Sequence, residues 1–322
     1  MIDHTFRSFL LKKDIKASKD FISNSRTGVH LIQVLNDLMF FSISINNRLD
    51  ASITHPVCVM NSIKNFISDR RESPSKELLM FAIDYLFQFD LRENDSLLID
   101  QAIEKGIGLT AFLGDLEDAC QEKNWSKAES LTAKTFIASD RSTGTMYGLA
   151  EIALQNFEEN GIFVFHLLRA YNFQSMKEDN WAYTKCLFDH IKVHRLDNPH
   201  AAVETTPSHI RDRVIKGGKF SLYAAAERIW NSEYVRIRGF RREISHWLSI
   251  ADFTEDINFN SQDSIWLNDK DQGKFIFYIE HFLLTKKIKE QTANGLVSLE
   301  AIRFLIKNAN SEQIKNLSLR SI

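Results

Sequence analysis

Only 12 glycines and 4 prolines punctuate these 322 residues. A sheet-rich fold needs a turn signal every few residues, and such a chain cannot supply them. Between the sparse breakers, 24 phenylalanines recur with leucine and isoleucine at helical spacing. The expectation is an all-α protein with a large aromatic core, either a multi-helix bundle or an irregular stack of helical hairpins. Segments of roughly 15–18 residues between helix signals fit that architecture, and no period is strict enough to define a solenoid.

The apolar share is 44%, the charged share 25% and the formal net charge −2. That balance provides no global basic field, which argues against nucleic acid and anionic membranes as partners. No stretch reaches the roughly 18 uncharged apolar residues of a spanning helix. The first residues, MIDHTFRSFLLKKD, have no cationic start followed by an apolar run, so they do not read as a signal peptide. Three scattered cysteines, Cys58, Cys120 and Cys186, without a CxxC, fit a reduced cytoplasmic setting.

Helices are expected over 3–23, from Thr27-Gly28, from Thr54-His55-Pro56, and from Ser73-Pro74 to Phe89. Further ones start at Asn94-Asp95, Thr110 and Asn124, and another spans Ser142 to Phe157, where Gly161 reads as a C-terminal glycine in the left-handed region. Residues 195–212 are polar and hold two of the four prolines, which places a soft boundary near 200–206. One helical domain is expected over 1–200 and a helical region over 207–322, packed on the first or separate from it. That region reads as helices at 207–216, at 220–250 with an interruption near Arg238-Gly239, and at 273–290, 298–308 and 311–319.

The stretch Gly161–His194 carries the candidate site. Over 162–173 the polar side chains besides the Tyr171 hydroxyl are His166, Arg169 and Asn172. Successive members are displaced by about 60° at roughly 100° per residue, so they form one slanted stripe. Read as a site, His166 is an acid, base or ligand, and Arg169 and Asn172 orient a small-molecule substrate in an apolar pocket. Read as structure, the stripe is a narrow solvent-facing edge. In the next helix Cys186, His190 and His194 step by four, and i, i+4 neighbours can chelate one ion. His190 and His194 are therefore the candidate metal ligands. All three cannot share one ion, because eight residues rise about 12 Å.

The chain shows His, five residues, then Asn three times: His30/Asn36, His55/Asn61 and His166/Asn172. If the three helices converge, the histidines line one cavity. Other chemistry is thin. No P-loop, dinucleotide fingerprint or nucleophile elbow occurs. Glu243 and His246 have the spacing of a di-iron motif, but in one copy. Gly217-Gly218-Lys219 reads as a helix stop or a phosphate loop. Arg236, Arg238, Arg241 and Arg242 read as a solvated basic face or as a contact for an acidic partner or a cofactor phosphate.

Two of these motifs carry a resemblance. His55-Pro56 heading an apolar helix, with Phe165-His166-Leu167-Leu168-Arg169-Ala170-Tyr171 inside a long helical chain, resembles the questin-oxidase-like proteins over roughly residues 25–195. The pattern is also similar to bacterial helical domains, some joined to Rieske-type iron–sulfur modules, although no Rieske Cys/His motifs occur here. The resemblance implies an all-α enzyme acting oxidatively on a small, aromatic molecule, with His55 and His166 lining its pocket. The rival expectation is a helical-hairpin interaction scaffold in which the histidines are structural.

Overall fold

A computed structural model describes residues 5–24, 30–46, 53–106, 112–253, 272–285 and 289–319. Among these residues there are 17 α-helices and no strand, and one antiparallel bridge joins Ile45 to Leu91. The all-α expectation holds.

The first expected helix is two. Helix α1 (Thr5–Leu11) and α2 (Ile15–Asn24) are separated at Lys13, whose φ of 53° turns the chain out of helical geometry. Helix α3 (Leu31–Ile43) packs on α1 and on α4 (Pro56–Ser68). The start of α4 is built as its sequence suggests. Pro56 occupies the first turn, and the His55 ring caps it by accepting a hydrogen bond from the Val57 N–H at 3.2 Å. Next come α5 (Lys76–Leu86), α6 (Leu97–Lys105), α7 (Leu113–Gln121), α8 (Trp125–Ala138) and α9 (Gly144–Leu154). Asn124 caps α8 as expected, and Gly106 ends α6 at φ 74°. The expected helix start at Thr110 lies outside the described residues.

Gly161 does not stop a helix. Helix α10 runs from Phe157 to Phe173 straight through it, and Asn156 caps its start. The glycine serves packing: a Cβ there would sit 2.7 Å from the Phe157 ring. Helix α11 (Asn180–Val193) follows as the second arm of the expected hairpin.

The coil over 195–206 leads to α12 (Pro207–Lys216), α13 (Phe220–Trp230) and α14 (Ile237–Ile250). The interruption near 238 falls earlier, between α13 and α14, and Gly239 lies inside α14, where a Cβ would collide with the Glu151 carboxylate. Helix α15 (Gln272–Thr285), α16 (Lys289–Ile306) and α17 (Ser311–Leu319) complete the chain. Helix α16 begins well before the expected 298 and passes through Gly295, where a Cβ would meet the Phe282 ring.

One apolar core runs from Phe6 to Leu317 and takes in side chains from both sides of the 200–206 coil. The arrangement that matters for function is a closed ring of four helices. Helix α4 packs on α10, α10 on α13, α13 on α16, and α16 back on α4. Two of these helices precede the coil and two follow it.

Candidate functional site

Inside that ring the helices present polar side chains to one another. On α4, Asn61, Lys64, Asn65 and Asp69 fall at i, i+3, i+4 and i+8 and so share a face. His166 comes from α10, Arg228 from α13, and Glu300 with Arg303 from α16. Asn61, His166 and Glu300 are at most 2% exposed and Lys64 is 7% exposed. Polar groups at that depth must be paired.

Most of them are. Arg228 reaches both oxygens of Glu300, at 2.7 and 2.8 Å, and Asn65 donates to the same carboxylate at 2.8 Å. Burial alone would raise the pKa of Glu300, but Arg228, His166 and Arg303 outweigh it and bring the carboxyl down to about 2. The Arg228 guanidinium lies 3.9 Å from the Phe165 ring centroid and 4.7 Å from that of Phe304. Arg303 forks onto Asp69.

The central link is between Asn61 and His166, whose side-chain nitrogens Nδ2 and Nδ1 lie 2.8 Å apart. The Lys64 ammonium settles its direction. It lies 2.7 Å from Asn61 Oδ1 and can only donate, so that oxygen accepts. The Asn61 amide nitrogen then donates to His166 Nδ1, which must be unprotonated, and the imidazole proton resides on Nε2. Burial lowers His166 to about 3, so the ring is neutral at physiological pH. The site therefore holds a neutral imidazole with a fixed Nε2–H, and its second lone pair is already used.

The other expected site residues go elsewhere. Arg169 and Asn172 are exposed, so the stripe on α10 has one buried end, at His166, and two solvent-facing members. His55 is spent on structure. Its Nδ1 caps α4, its Nε2 lies 3.7 Å from Cys186 Sγ, and its ring stands edge-on to Phe163 at 4.8 Å. His30 packs on Phe21, so the three histidines do not line one cavity. The repeated His/Asn spacing nonetheless meets in one place, since Asn61 of one pair bonds His166 of another.

His190 and His194 lie ring on ring, with centroids 3.7 Å apart, and Phe163 stacks on the other face of His190 at 3.7 Å. His190 Nε2 donates to Asn160 Oδ1 at 3.0 Å, because the Asn160 amide nitrogen is engaged by the Ala153 and Arg195 carbonyls. His194 Nδ1 donates to the His190 carbonyl at 2.8 Å. This stacking turns the ring nitrogens away from a common point. Among the described residues, no three His, Cys, Asp or Glu side chains gather as a metal site.

The remaining features find ordinary roles. Arg236 and Arg242 pair with Glu151, Arg236 also with Glu117, and Arg241 lies over Trp230. Glu243 is buried between Arg242 and His200, and His246 stacks on His200. Gly217 lets the Phe253 carbonyl lie where a Cβ would be, so the Gly-Gly-Lys run is a packing device. The three cysteines are free and buried, and burial lifts the thiols of Cys58 and Cys120 far above neutrality.

The sequence marks His166, and Asn61 only as the partner of His55 in the repeated spacing; Lys64 and Asn65 carry no mark of their own. Asn61, Lys64 and Asn65 interrupt an otherwise apolar α4 at i, i+3 and i+4, and that interruption is the available signal. No family model, curated protein or solved structure matches the chain.

Proposed function

We propose that this chain is an all-α enzyme acting on a small molecule, with its reacting centre at the Asn61–His166–Lys64 cluster inside the four-helix ring. The observation that carries the proposal is the locked Asn61–His166 pair. Two elements far apart in sequence spend a buried amide, ammonium and imidazole on fixing one N–H in one direction. A preorganised donor in an apolar setting is how proteins stabilise charge that develops on a substrate oxygen. Burial lowers Lys64 to about 8, so its ammonium holds a proton that it can give up near neutral pH. The chemistry this supports is proton transfer, with His166 Nε2–H as the donor that steadies the oxygen gaining charge.

Of the acid, base and ligand roles expected of His166, this reading takes the first, as a hydrogen-bond donor. Asn61 orients the His166 ring, whereas Asn172, expected to orient substrate, is exposed. Oxidative chemistry on an aromatic molecule is what the resemblance to the questin-oxidase-like proteins implies; the geometry speaks more directly for proton transfer. The free cysteines and the absence, among the described residues, of a helix able to cross a membrane fit a cytoplasmic setting.

The alternative, an interaction scaffold, draws on His55 and His190, which cap and stack. It draws also on Val235, Ile250 and Leu284, which remain more than half exposed. One experiment separates the two. The chain is incubated with a pooled metabolite extract, and consumption is followed by mass spectrometry beside the His166→Ala variant. The enzyme reading expects a compound depleted by the native chain and spared by the variant at unchanged helical content. No depletion, or equal depletion by both proteins, sinks it.

A further inference from the structure

The ring holds more positive charge than its carboxylates neutralise. Inside it Lys64, Arg228 and Arg303 face the carboxylates of Glu300 and Asp69, while Arg169 bears on Lys64 from the surface. Both carboxylates are committed: Glu300 to Arg228 and Asn65, and Asp69 to Arg303. Lys64 is 7% exposed, yet among the described residues its ammonium has one hydrogen-bond partner, the neutral Asn61 amide, and no ion pair. Its remaining contact is the Phe173 ring, 5.0 Å away. The neighbouring charge that bears on it most is another cation, Arg169. The Arg169 side chain likewise has no ion pair or hydrogen bond among the described residues.

A buried ammonium facing a second cation is costly, and a fold retains such a group when something of opposite charge completes it. The placement of the two cations points the same way. Lys64 Nζ lies over the Phe173 ring, and Arg169 precedes Phe173 by one turn of α10, so both cations border the same stretch of that helix. Exposure falls from Arg169 at the surface, through Lys64, to His166 at 2%.

We propose that Lys64 and Arg169 form an oxyanion-binding site that takes the carboxylate or phosphate group of a small molecule, with His166 as the neighbouring group for the rest of it. Lys64 supplies a point charge with free protons, and Arg169 supplies a planar fork suited to two oxygens. The rings of Phe173 and Phe165, beside Lys64 and His166, suit an apolar or aromatic body on the ligand. This inference rests on the proposed function, whose substrate class it names.

The test is isothermal titration of the full chain at pH 7 with two probes, benzoate and inorganic phosphate. Binding of either is expected. It should weaken at least tenfold in Lys64→Met and in Arg169→Met and stay unchanged in Lys127→Met, an exposed lysine on α8. Benzoate without phosphate identifies a carboxylate on an apolar body, and phosphate without benzoate identifies a phosphate; both outcomes support the site. Absence of binding by either probe overturns it, as does binding indifferent to both substitutions. Arg169 is exposed, so its variant keeps the fold and the test stands if Lys64→Met does not express. Turnover that needs His166 but shows no anion binding overturns this inference alone. Anion binding without His166-dependent turnover overturns the enzyme reading and leaves the site.

Discussion

Asn61 donates its amide N–H to His166 Nδ1 across 2.8 Å, joining α4 to α10 over 105 positions of sequence. The bond fixes the imidazole as the Nε2–H tautomer and helps keep it neutral. In nitrogen–proton correlation spectra His166 is expected to show an unprotonated Nδ1 and a protonated Nε2, unchanged from pH 8 down to the onset of acid unfolding. Asn61→Asp puts a carboxylate against the ring and should raise the pKa of His166 by more than about one unit. A native ring that titrates near the ordinary histidine value of about 6.5 would refute the assignment.

Buried histidines also make the chain sensitive to acid. Burial lowers His55 and His166 to about 3, and it lowers His190 well below the usual value. A group whose folded constant is depressed binds its proton in the unfolded chain first. Stability is therefore complete above about pH 6.5 and falls as pH drops below it. Linkage gives a loss of about 2 kcal/mol per ring between pH 7 and 5 for His55 and His166, roughly 4 kcal/mol together, and His190 adds to it in the same direction. Urea denaturation at pH 7 and pH 5 measures it. His55→Asn keeps a competent helix cap and removes a titrating ring, so this variant should lose about 2 kcal/mol less over the same interval. An identical pH dependence in the variant would mean that His55 is not buried neutral.

Glu300 behaves in the opposite chemical sense with the same direction in pH. Its constant, held at about 2 against the pull of burial, means that its contribution is present above the ordinary carboxylate value and is lost as pH falls from about 4.5 towards 2. Glu300→Gln leaves Arg228 with its charge and without its carboxylate. A loss of about 3–5 kcal/mol in denaturant unfolding at pH 7 is expected. Arg228→Met with Glu300→Leu removes both charges and should recover most of that loss. A single variant as stable as the native chain would show that the pair carries little.

The parts legible in the sequence are those that local rules decide. Scarce glycine and proline with recurrent phenylalanine announced helices throughout. Pro56 and Asn124 marked helix starts, and His166 stood out as a polar group in an apolar run. What failed was the inference from local chemistry to a partner across the fold. Gly161 looks like a helix stop, yet it lies within α10, where the Phe157 ring occupies the space that a Cβ would take. His190 and His194 have chelating spacing, but Phe163 and Asn160 decide where their rings point. Nothing local marks Lys64 as buried, and the packing of α10 and α16 on α4 decides it.

That burial sets function against stability at Lys64. Desolvation lowers its constant from 10.5 to about 8, with Arg169 adding to the shift, so the folded chain holds the ammonium less readily than the unfolded one does. The sign follows: below pH 8 the charged lysine destabilises the fold, and stability rises as pH passes from about 8 to about 10.5. The shift corresponds to a penalty on the order of 3 kcal/mol at pH 7, part of which the bond to Asn61 offsets. Lys64→Met keeps the length and apolar stem of the side chain and removes the charge. It should therefore stabilise the isolated chain by about 1–2 kcal/mol at pH 7, and the gain should vanish near pH 10.5. Thermal denaturation across that range measures it. A methionine variant less stable than the native chain at pH 7 would mean that the ammonium already has its counter-charge, and that the fold holds it for structure rather than for a ligand.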